Sequence, residues 1–169
     1  MKNRNIRYRG TIPALLIALT LGCFPLLPAA QADDGDKIVG LWHVFYTSDV
    51  LGPLYEAYDQ WHSDGQEFEV ANIDPRSGLG NVCQGTWEKM PQGGVKLFHV
   101  GWNFGGNCGP GSTEIRFETT QLTTVSHDGN SYDGTYDTKF YEANGNLACE
   151  DTGTLHATRL SVNTPLVLK

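Results

Sequence analysis

The order of hydrophobic and polar positions along the chain favours β-strands over helices. After about residue 33, runs rich in Tyr, Phe, Trp, Val and Thr alternate with polar residues at every second position, and the 3.6-residue period of a helix is almost absent. Gly, Asn, Asp and Pro separate these runs. The pattern predicts eight strands: Ile38–Thr47, Tyr55–Ser63, Gln66–Ile73, Val82–Met90, Val95–Phe104, Thr113–His127, Ser131–Glu142 and Leu147–Leu160.

Tight turns join most of these strands into hairpins. Asp64-Gly65, Asp128-Gly129 and Asn144-Gly145 are pairs that short hairpin turns prefer, and Pro91–Gly94 is a fourth turn. Residues that face each other across a hairpin point to the same side of the sheet. In the first two hairpins the predicted inward pairs are Trp61 with Phe68, Asp59 with Val70, Trp87 with Phe98, and Cys83 with Trp102. In the last two they are Val125 with Tyr132, Gln121 with Tyr136, Phe117 with Phe140, and Phe140 with Cys149.

Eight antiparallel strands with one apolar face each can stack as a sandwich or close into a barrel. Closure removes the exposed sheet edges, so the sequence predicts an all-β fold, an eight-stranded antiparallel up-and-down (meander) barrel. Three tight turns fall at one end of this barrel. The longer connections Ser48–Leu54, Asp74–Asn81 and Gly105–Ser112 fall at the other end. The predicted shape is a cup with room for one small ligand.

Composition divides the chain into a leader and one domain. Residues 1–32 contain four basic residues, no acidic residue, a Pro-broken apolar run and Ala30-Gln31-Ala32, which together are typical of a secretory signal peptide cleaved after Ala32. The apolar run is too short to span a bilayer stably. A lipid anchor at Cys23 is the less favoured alternative, because Thr20 replaces the expected aliphatic residue. Residues 33–169 are therefore predicted to form one barrel domain of a secreted or periplasmic protein.

Charge and motifs exclude several partners. The formal net charge of the chain is −7, and the domain without its basic leader is more acidic still. Such a charge disfavours nucleic acid and anionic membranes as partners. The Gly-rich segment 105–111 lacks the Lys-Ser/Thr of a phosphate-binding loop, and the Asp-Gly-Asn segment at 128–130 lacks the later ligands of a calcium loop. We therefore expect no metal, no cofactor and no membrane span, and a monomer whose partner is a small hydrophobic molecule.

Aromatic side chains dominate the predicted inner wall of the cup. The expected ligand-binding residues are Trp102, Phe104, Phe117, Gln121, Tyr136 and Phe140. The alternative is that these side chains fill a solid core, as they do in many small barrels.

Asp59 and Asp151 are the candidate catalytic residues, because both are predicted to point inward. A buried carboxylate without a partner costs several kcal/mol, so such groups need water, a ligand or an internal partner. If the two lay close together, one would have a raised pKa and could act as a general acid or base. A bulge that turns one of them outward is the alternative. All five histidines are predicted on the outer face or at turns.

Three cysteines follow the leader. Cys108 lies just after the strand predicted to pair with that of Cys83, so a Cys83–Cys108 disulfide is expected, with Cys149 as the free thiol. A three-thiolate metal site is disfavoured, because no Cys-x-x-Cys spacing occurs.

Gly40-Leu41-Trp42 opens the first strand, and Ala157-Thr158-Arg159 closes the last strand at the same end. This arrangement resembles the calycin (lipocalin-like) pattern, which implies that Arg159 lies over Trp42 and closes the barrel through a cation–π contact. The segments Asp59–Gly65 and Cys83–Trp87 also resemble a group of small secreted bacterial proteins without an assigned activity. Allene-oxide-cyclase and dirigent-like barrels are the alternative family at the level of the fold.

The predicted function is that of a secreted, lipocalin-like barrel that binds a small apolar molecule in its cup. Two alternatives stay open. One is a barrel enzyme of the cyclase or isomerase type that uses an inward carboxylate, although a binding protein is favoured over an enzyme. The other is a structural or protein-interaction barrel, which exposed aromatic side chains on the outer face would support.

Overall fold

The structure is a computed structural model that describes residues 34–74 and 80–164. The predicted signal peptide, residues 1–32, lies outside this range. The elements are a short helix, α1 (Asp34–Ile38), and the strands β1 (Gly40–Ser48), β2 (Gly52–Trp61), β3 (Gln66–Ala71), β4 (Val82–Lys89), β5 (Val95–Trp102), β6 (Glu114–Val125), β7 (Ser131–Glu142) and β8 (Leu147–Arg159). All eight strands were predicted within a few residues, and α1 was not predicted.

The strands form a closed up-and-down barrel, as predicted. Each strand pairs antiparallel with the next along the chain, and β8 pairs with β1 from Trp42 opposite Arg159 to Ser48 opposite Gly153. Every strand therefore has two hydrogen-bonded neighbours, and the sheet has no free edge.

Arg159 closes the end of the barrel that carries the short turns. Its guanidinium lies 4.1 Å from the ring centre of Trp42, so the contact implied by the calycin resemblance is present. The same group donates hydrogen bonds to the carbonyl oxygens of Gly129 (2.6 Å), Val39 (2.9 Å) and Lys37. A side chain at position 40 would collide with this guanidinium, which explains the glycine that opens β1. Arg159 thus connects the start of the barrel to its last strand.

The predicted register of the last two hairpins is confirmed. Val125 lies opposite Tyr132 and Phe117 opposite Phe140, and Phe140 lies opposite Cys149. The inward residues of β7 are therefore the predicted ones, with Tyr132 and Tyr136 buried.

The predicted register of the β2–β3 hairpin is wrong by one residue. Trp61 lies opposite Glu67 rather than Phe68, and the His62 N–H donates to Gln66 O (2.9 Å) around a three-residue loop. Gly65 closes this loop with φ +88°, a left-handed conformation that favours glycine. The prediction assumed a two-residue turn.

This slip reverses every side chain of β3, because successive residues of a strand point to opposite faces. Glu67 and Glu69 lie inside the barrel, 3% and 1% exposed, whereas Phe68 and Val70 lie on its outer surface. Asp59 remains inside, as predicted, and is fully buried.

The β4–β5 hairpin shows the same error. Its loop has three residues, one fewer than the predicted Pro91–Gly94 turn, and is closed by the Met90 N–H donating to Gly94 O (3.1 Å), so Trp87 lies opposite Leu97 rather than Phe98. His99 is consequently inside the barrel, and the side chains of its neighbours in β5 are outside.

Candidate functional site

A cavity of about 250 Å³ occupies the end of the barrel that carries the long connections. Leu51, Ile73 and Asn107, from three different connections, reach it. Of the predicted ligand-binding residues, Phe117, Tyr136 and Phe140 line this cavity, and their role in binding stays a prediction. The interior is thus packed in its closed half and hollow in its open half.

Two inward glycines make room for these aromatic side chains. A Cβ at Gly101 would collide with the ring of Phe117, and one at Gly153 would collide with that of Tyr136 and with backbone. The rings of Phe117 and Tyr136, on the neighbouring strands β6 and β7, therefore lie over these glycines, where larger residues would push them into the cavity.

Trp102 and Phe104 do not line the cup, so their predicted position is wrong. Their side chains are 67% and 75% exposed and border a groove of about 560 Å³ on the outer surface, whereas Asn103 between them is fully buried. The cause is the β4–β5 loop, which has three residues instead of the expected four, Pro91–Gly94, so that the odd-numbered residues of β5 lie inside.

Gln121 lies beneath the cavity and is fully buried. Its Nε2 donates to the Tyr46 hydroxyl (2.8 Å), which donates to Glu69 Oε2 (2.5 Å) on the cavity wall. Burial, together with the charges of Asp59 and Glu69, raises the pKa of Tyr46 well above its ordinary value. Tyr46 therefore remains a protonated donor that orients the Glu69 carboxylate.

Three carboxyl groups, those of Asp59, Glu67 and Glu69, lie inside the barrel. Asp59 Oδ2 accepts a hydrogen bond from the Tyr132 hydroxyl (2.8 Å). Burial and the charges of Glu69 and Glu67 raise the pKa of Asp59 well above its ordinary value, and burial also raises that of Glu67. Asp59 and Glu67 therefore hold protons more strongly than exposed carboxyl groups do.

His99 belongs to the same cluster, which corrects its predicted position on the outer face. It is 2% exposed, and its Nδ1 lies 3.4 Å from Glu67 Oε2. Burial acts to lower the pKa of His99, but the hydrogen bond with Glu67 and the charges of Glu69 and Glu67 outweigh it and raise the pKa.

Asp151 lines the cavity, but the structure does not bring it together with Asp59. The Ser48 hydroxyl donates to Asp151 Oδ1 (2.6 Å) and the Tyr136 hydroxyl donates to Oδ2 (2.7 Å). Asp59 instead accepts a hydrogen bond from Tyr132 and does not line the cavity. The two aspartates thus occupy separate networks, and the paired-carboxylate site considered from the sequence is not formed.

The predicted disulfide is also corrected. Cys108 is bonded to Cys149, and Cys83 is the free, buried thiol. The disulfide joins the loop after β5 to β8. Glu114, the first residue of β6, also holds this loop, because its Oε1 accepts the N–H groups of Asn107 (2.5 Å) and Cys108 (3.0 Å). This loop is therefore fixed beside the mouth of the cavity.

Cys83 faces the cavity, where its thiol lies 3.6 Å from Glu69 Oε1 as a donor. Burial and the nearby carboxylates raise the pKa of this thiol well above its ordinary value. Cys83 is consequently a protonated hydrogen-bond donor in the wall rather than a nucleophile.

Within residues 34–74 and 80–164, no group of three or more His, Cys, Asp or Glu side chains is arranged to hold a metal ion. No helix in that part of the chain is long and apolar enough to cross a membrane.

Glu67, Glu69 and His99 are the site residues that the sequence reasoning missed. Hairpin loops that contain glycine occur with two, three or four residues. The sequence prediction used two residues at Asp64-Gly65 and four at Pro91–Gly94, whereas both loops have three. At Asp64-Gly65, a two-residue loop would place the apolar Phe68 inside, and for this reason the sequence favours it. Weighing both lengths would have brought the two glutamates into view.

These features define a closed eight-stranded β-barrel with a polar cluster under an open cavity. Comparisons with protein-family models, with curated proteins and with solved structures found no match. The calycin resemblance, and the likeness to small secreted bacterial proteins, therefore remain predictions.

Proposed function

We propose that this barrel binds a small organic molecule in the cavity at its open end. The cavity, at about 250 Å³, is slightly smaller than the sites of drug-sized ligands, which are roughly 300–1,000 Å³. Its wall combines the rings of Phe117, Tyr136 and Phe140 with the carboxyl groups of Glu69 and Asp151. Apolar walls with a few placed polar groups are typical of ligand sites.

The observation that carries this proposal is the orientation of β3. Glu69 lies on the cavity wall while Phe68 and Val70 are exposed, although the opposite register would bury the apolar pair. A buried carboxylate costs several kcal/mol, and the exposed side chains forfeit part of about 1.5–3 kcal/mol each. Departures from the apolar-in pattern concentrate at functional sites, which supports a role for Glu69 in binding.

The test is a titration of ¹⁵N-labelled protein with indole and with 2-phenylethanol, followed by chemical-shift mapping. We expect saturable shifts centred on Phe117, Tyr136 and Phe140. The variant Thr138→Phe should abolish them, because Thr138 points into the cavity.

The matched control is Thr135→Phe, which adds the same ring to the same strand on the exposed outer face. This variant should bind as the parent protein does. Shifts on the outer surface alone, or none up to the solubility limit of both probes, would contradict the proposal.

A second candidate function is association with another copy of the chain. The outer apolar surface of β3, β4 and β5 exposes seven large apolar residues: Phe68, Val70, Val82, Phe98, Val100, Trp102 and Phe104. Two grooves cross it, and among their described lining residues no exposed carboxylate occurs. Two copies of an acidic protein could therefore meet there without like-charge repulsion, and twofold pairing is the commonest homo-oligomer.

Sedimentation velocity over a range of protein concentrations tests this second candidate. A dimer that Phe98→Ser with Trp102→Ser dissociates, and that the control Leu147→Ser on the exposed side of β8 does not, would support it. A monomer at all concentrations would agree with the sequence-based prediction and remove the candidate.

A further inference from the structure

The charges on the cavity wall have one sign. Glu69 and Asp151 are the acidic residues that line it, and none of its described lining residues is Lys, Arg or His. A carboxylate or phosphate ligand would meet two acidic groups there and no counter-charge. The chain as a whole, at −7, adds an attraction for cations.

Glu69 retains capacity to accept hydrogen bonds. Its side chain is 1% exposed, and among the described residues no Lys, Arg or His forms an ion pair with it. Tyr46 donates to Oε2, the Cys83 thiol donates to Oε1, and Asp59 forms a further side-chain hydrogen bond with this group, whereas two carboxylate oxygens offer about four acceptor positions. About one acceptor position therefore remains on Glu69, which lines the cavity.

Aromatic rings surround the same space. Phe117 and Phe140 pack with ring centres 6.0 Å apart, and Tyr55, which also lines the cavity, stacks on Tyr46 at 4.6 Å. Aromatic faces attract cations and also accept the hydrocarbon part of a ligand. The carboxylates and the aromatic rings thus both favour a cation with a hydrocarbon part.

We infer that the ligand of this cup is a small organic cation, such as a primary amine with an aromatic tail, whose ammonium group is bound by Glu69 and Asp151. The inference rests on the proposed function and specifies its ligand class. Tyr46, Ser48 and Tyr136 hold the two carboxylates in place through the hydrogen bonds described above. The tail lies against Phe117 and Phe140.

The experiment compares three probes that share one ring and one chain length: 2-phenylethylamine, 2-phenylethanol and phenylacetate. Isothermal titration at pH 7 with the purified protein should give a dissociation constant at least about tenfold lower for the amine than for the alcohol. Phenylacetate should bind more weakly than the alcohol, because its carboxylate would meet two acidic residues and no basic one among the described lining residues.

Two variants test the carboxylates. Glu69→Gln and Asp151→Asn should each weaken the amine about tenfold more than they weaken the alcohol, so that the preference for the amine disappears while the cup still binds. The control is Glu150→Gln, which removes the same charge from the adjacent, exposed position of β8. Binding of the alcohol to every variant shows that the barrel is folded.

The outcomes separate the inference from the proposed function. If the amine and the alcohol bind equally, or if Glu150→Gln weakens the amine as much as Glu69→Gln does, the inference is wrong and the binding cup stands. If none of the three probes binds, and indole gives no shifts at the cavity, both are wrong.

Discussion

At the scale of single residues, Arg159 connects several segments at the closed end of the barrel. Its guanidinium satisfies three carbonyl oxygens at the closed end and lies over Trp42. Loss of these donors would leave partly buried carbonyl groups without partners. An unsatisfied buried group costs about 1–3 kcal/mol, and a cation–π contact contributes about 0.5–2 kcal/mol.

We therefore expect Arg159→Met to lower the free energy of unfolding by about 2–4 kcal/mol in urea denaturation. Arg116→Met is the control, because Arg116 also lies over a ring, that of Tyr141 at 4.9 Å, but its side chain is 42% exposed. That change should cost less than about 1 kcal/mol. Equal losses in the two variants would contradict a special role for Arg159.

The buried cluster makes stability depend on pH. Asp59, Glu67 and His99 have raised pKa values in the folded protein, so the folded state binds more protons than the unfolded state. Such groups contribute stability below their unfolded pKa and lose it as pH rises through the folded pKa. This loss begins near about pH 4 for the carboxyl groups and near about 6.5 for the histidine. The free energy of unfolding should therefore fall between about pH 4 and 8.

Asp59→Asn should flatten this dependence and raise the free energy of unfolding at pH 8 by roughly 1–3 kcal/mol. The amide has no charge to desolvate, and its oxygen can still accept from Tyr132. Urea denaturation between pH 4 and 8 measures the effect, with the exposed Asp64→Asn as the control. An unchanged slope in Asp59→Asn would show that Asp59 is ionised in the folded state.

Glu114 and Asp128 act in the opposite direction. Burial acts to raise the pKa of Glu114, but hydrogen bonds from backbone N–H groups outweigh burial and lower it. The pKa of Asp128 is lowered to about 2, mainly by the hydrogen bond from Ser126. Their contribution is present above the unfolded pKa and is lost as pH falls through the folded one. Stability should thus have a maximum in mildly acidic solution.

At the scale of elements, hairpin loops decided which predictions succeeded. The strand β7 belongs to two hairpins, and both place Tyr132, Tyr136 and Phe140 inside, so the register of that half was predictable. β3 belongs to only one tight hairpin, so no second hairpin tests its register. Its apolar residues Phe68 and Val70 favour the wrong register, because that register would bury them. Only backbone geometry distinguishes a two-residue from a three-residue turn at Asp64-Gly65. The cavity aromatics were therefore predictable, and the acidic cluster was not.

The disulfide is the cross-link between the β5–β6 loop and β8. It joins residues 41 positions apart, and closing a loop of that length removes about 4 kcal/mol of unfolded-state entropy in the chain-entropy model. We expect Cys108→Ser with Cys149→Ser to lower the free energy of unfolding by about 3–4 kcal/mol and to expose the loop 105–112 to proteases.

The reducing agent dithiothreitol provides the control. It should destabilise the parent protein and leave the double variant unchanged. Alkylation of the unreduced, unfolded protein should label Cys83 and leave a peptide that contains linked Cys108 and Cys149. A linked Cys83 would contradict the pairing.

At the scale of the whole molecule, alternation and turn residues were sufficient to predict a closed barrel with one blunt and one loop-rich end. The disulfide pairing was not predictable, because it depends on where the loop 105–112 turns in space. The outer apolar surface was also missed, since the same register errors had placed its residues inside. Several residues predicted to line the cup therefore lie on the outer surface, and several predicted on the outer surface lie inside. The predicted fold was unaffected.

Closure of the ring has a consequence for how the chain is made. The hydrogen bond from Arg159 to Val39 joins positions 120 residues apart. The first strand therefore has no closing partner until the last strand has been synthesised. Ribosomes add about 5–20 residues per second, which makes the wait roughly 6–24 s. During that time, β1 presents an unpaired edge that can associate with other chains. The barrel is thus complete only after synthesis of β8, and a nascent chain that stops before residue 147 has no closed state to reach.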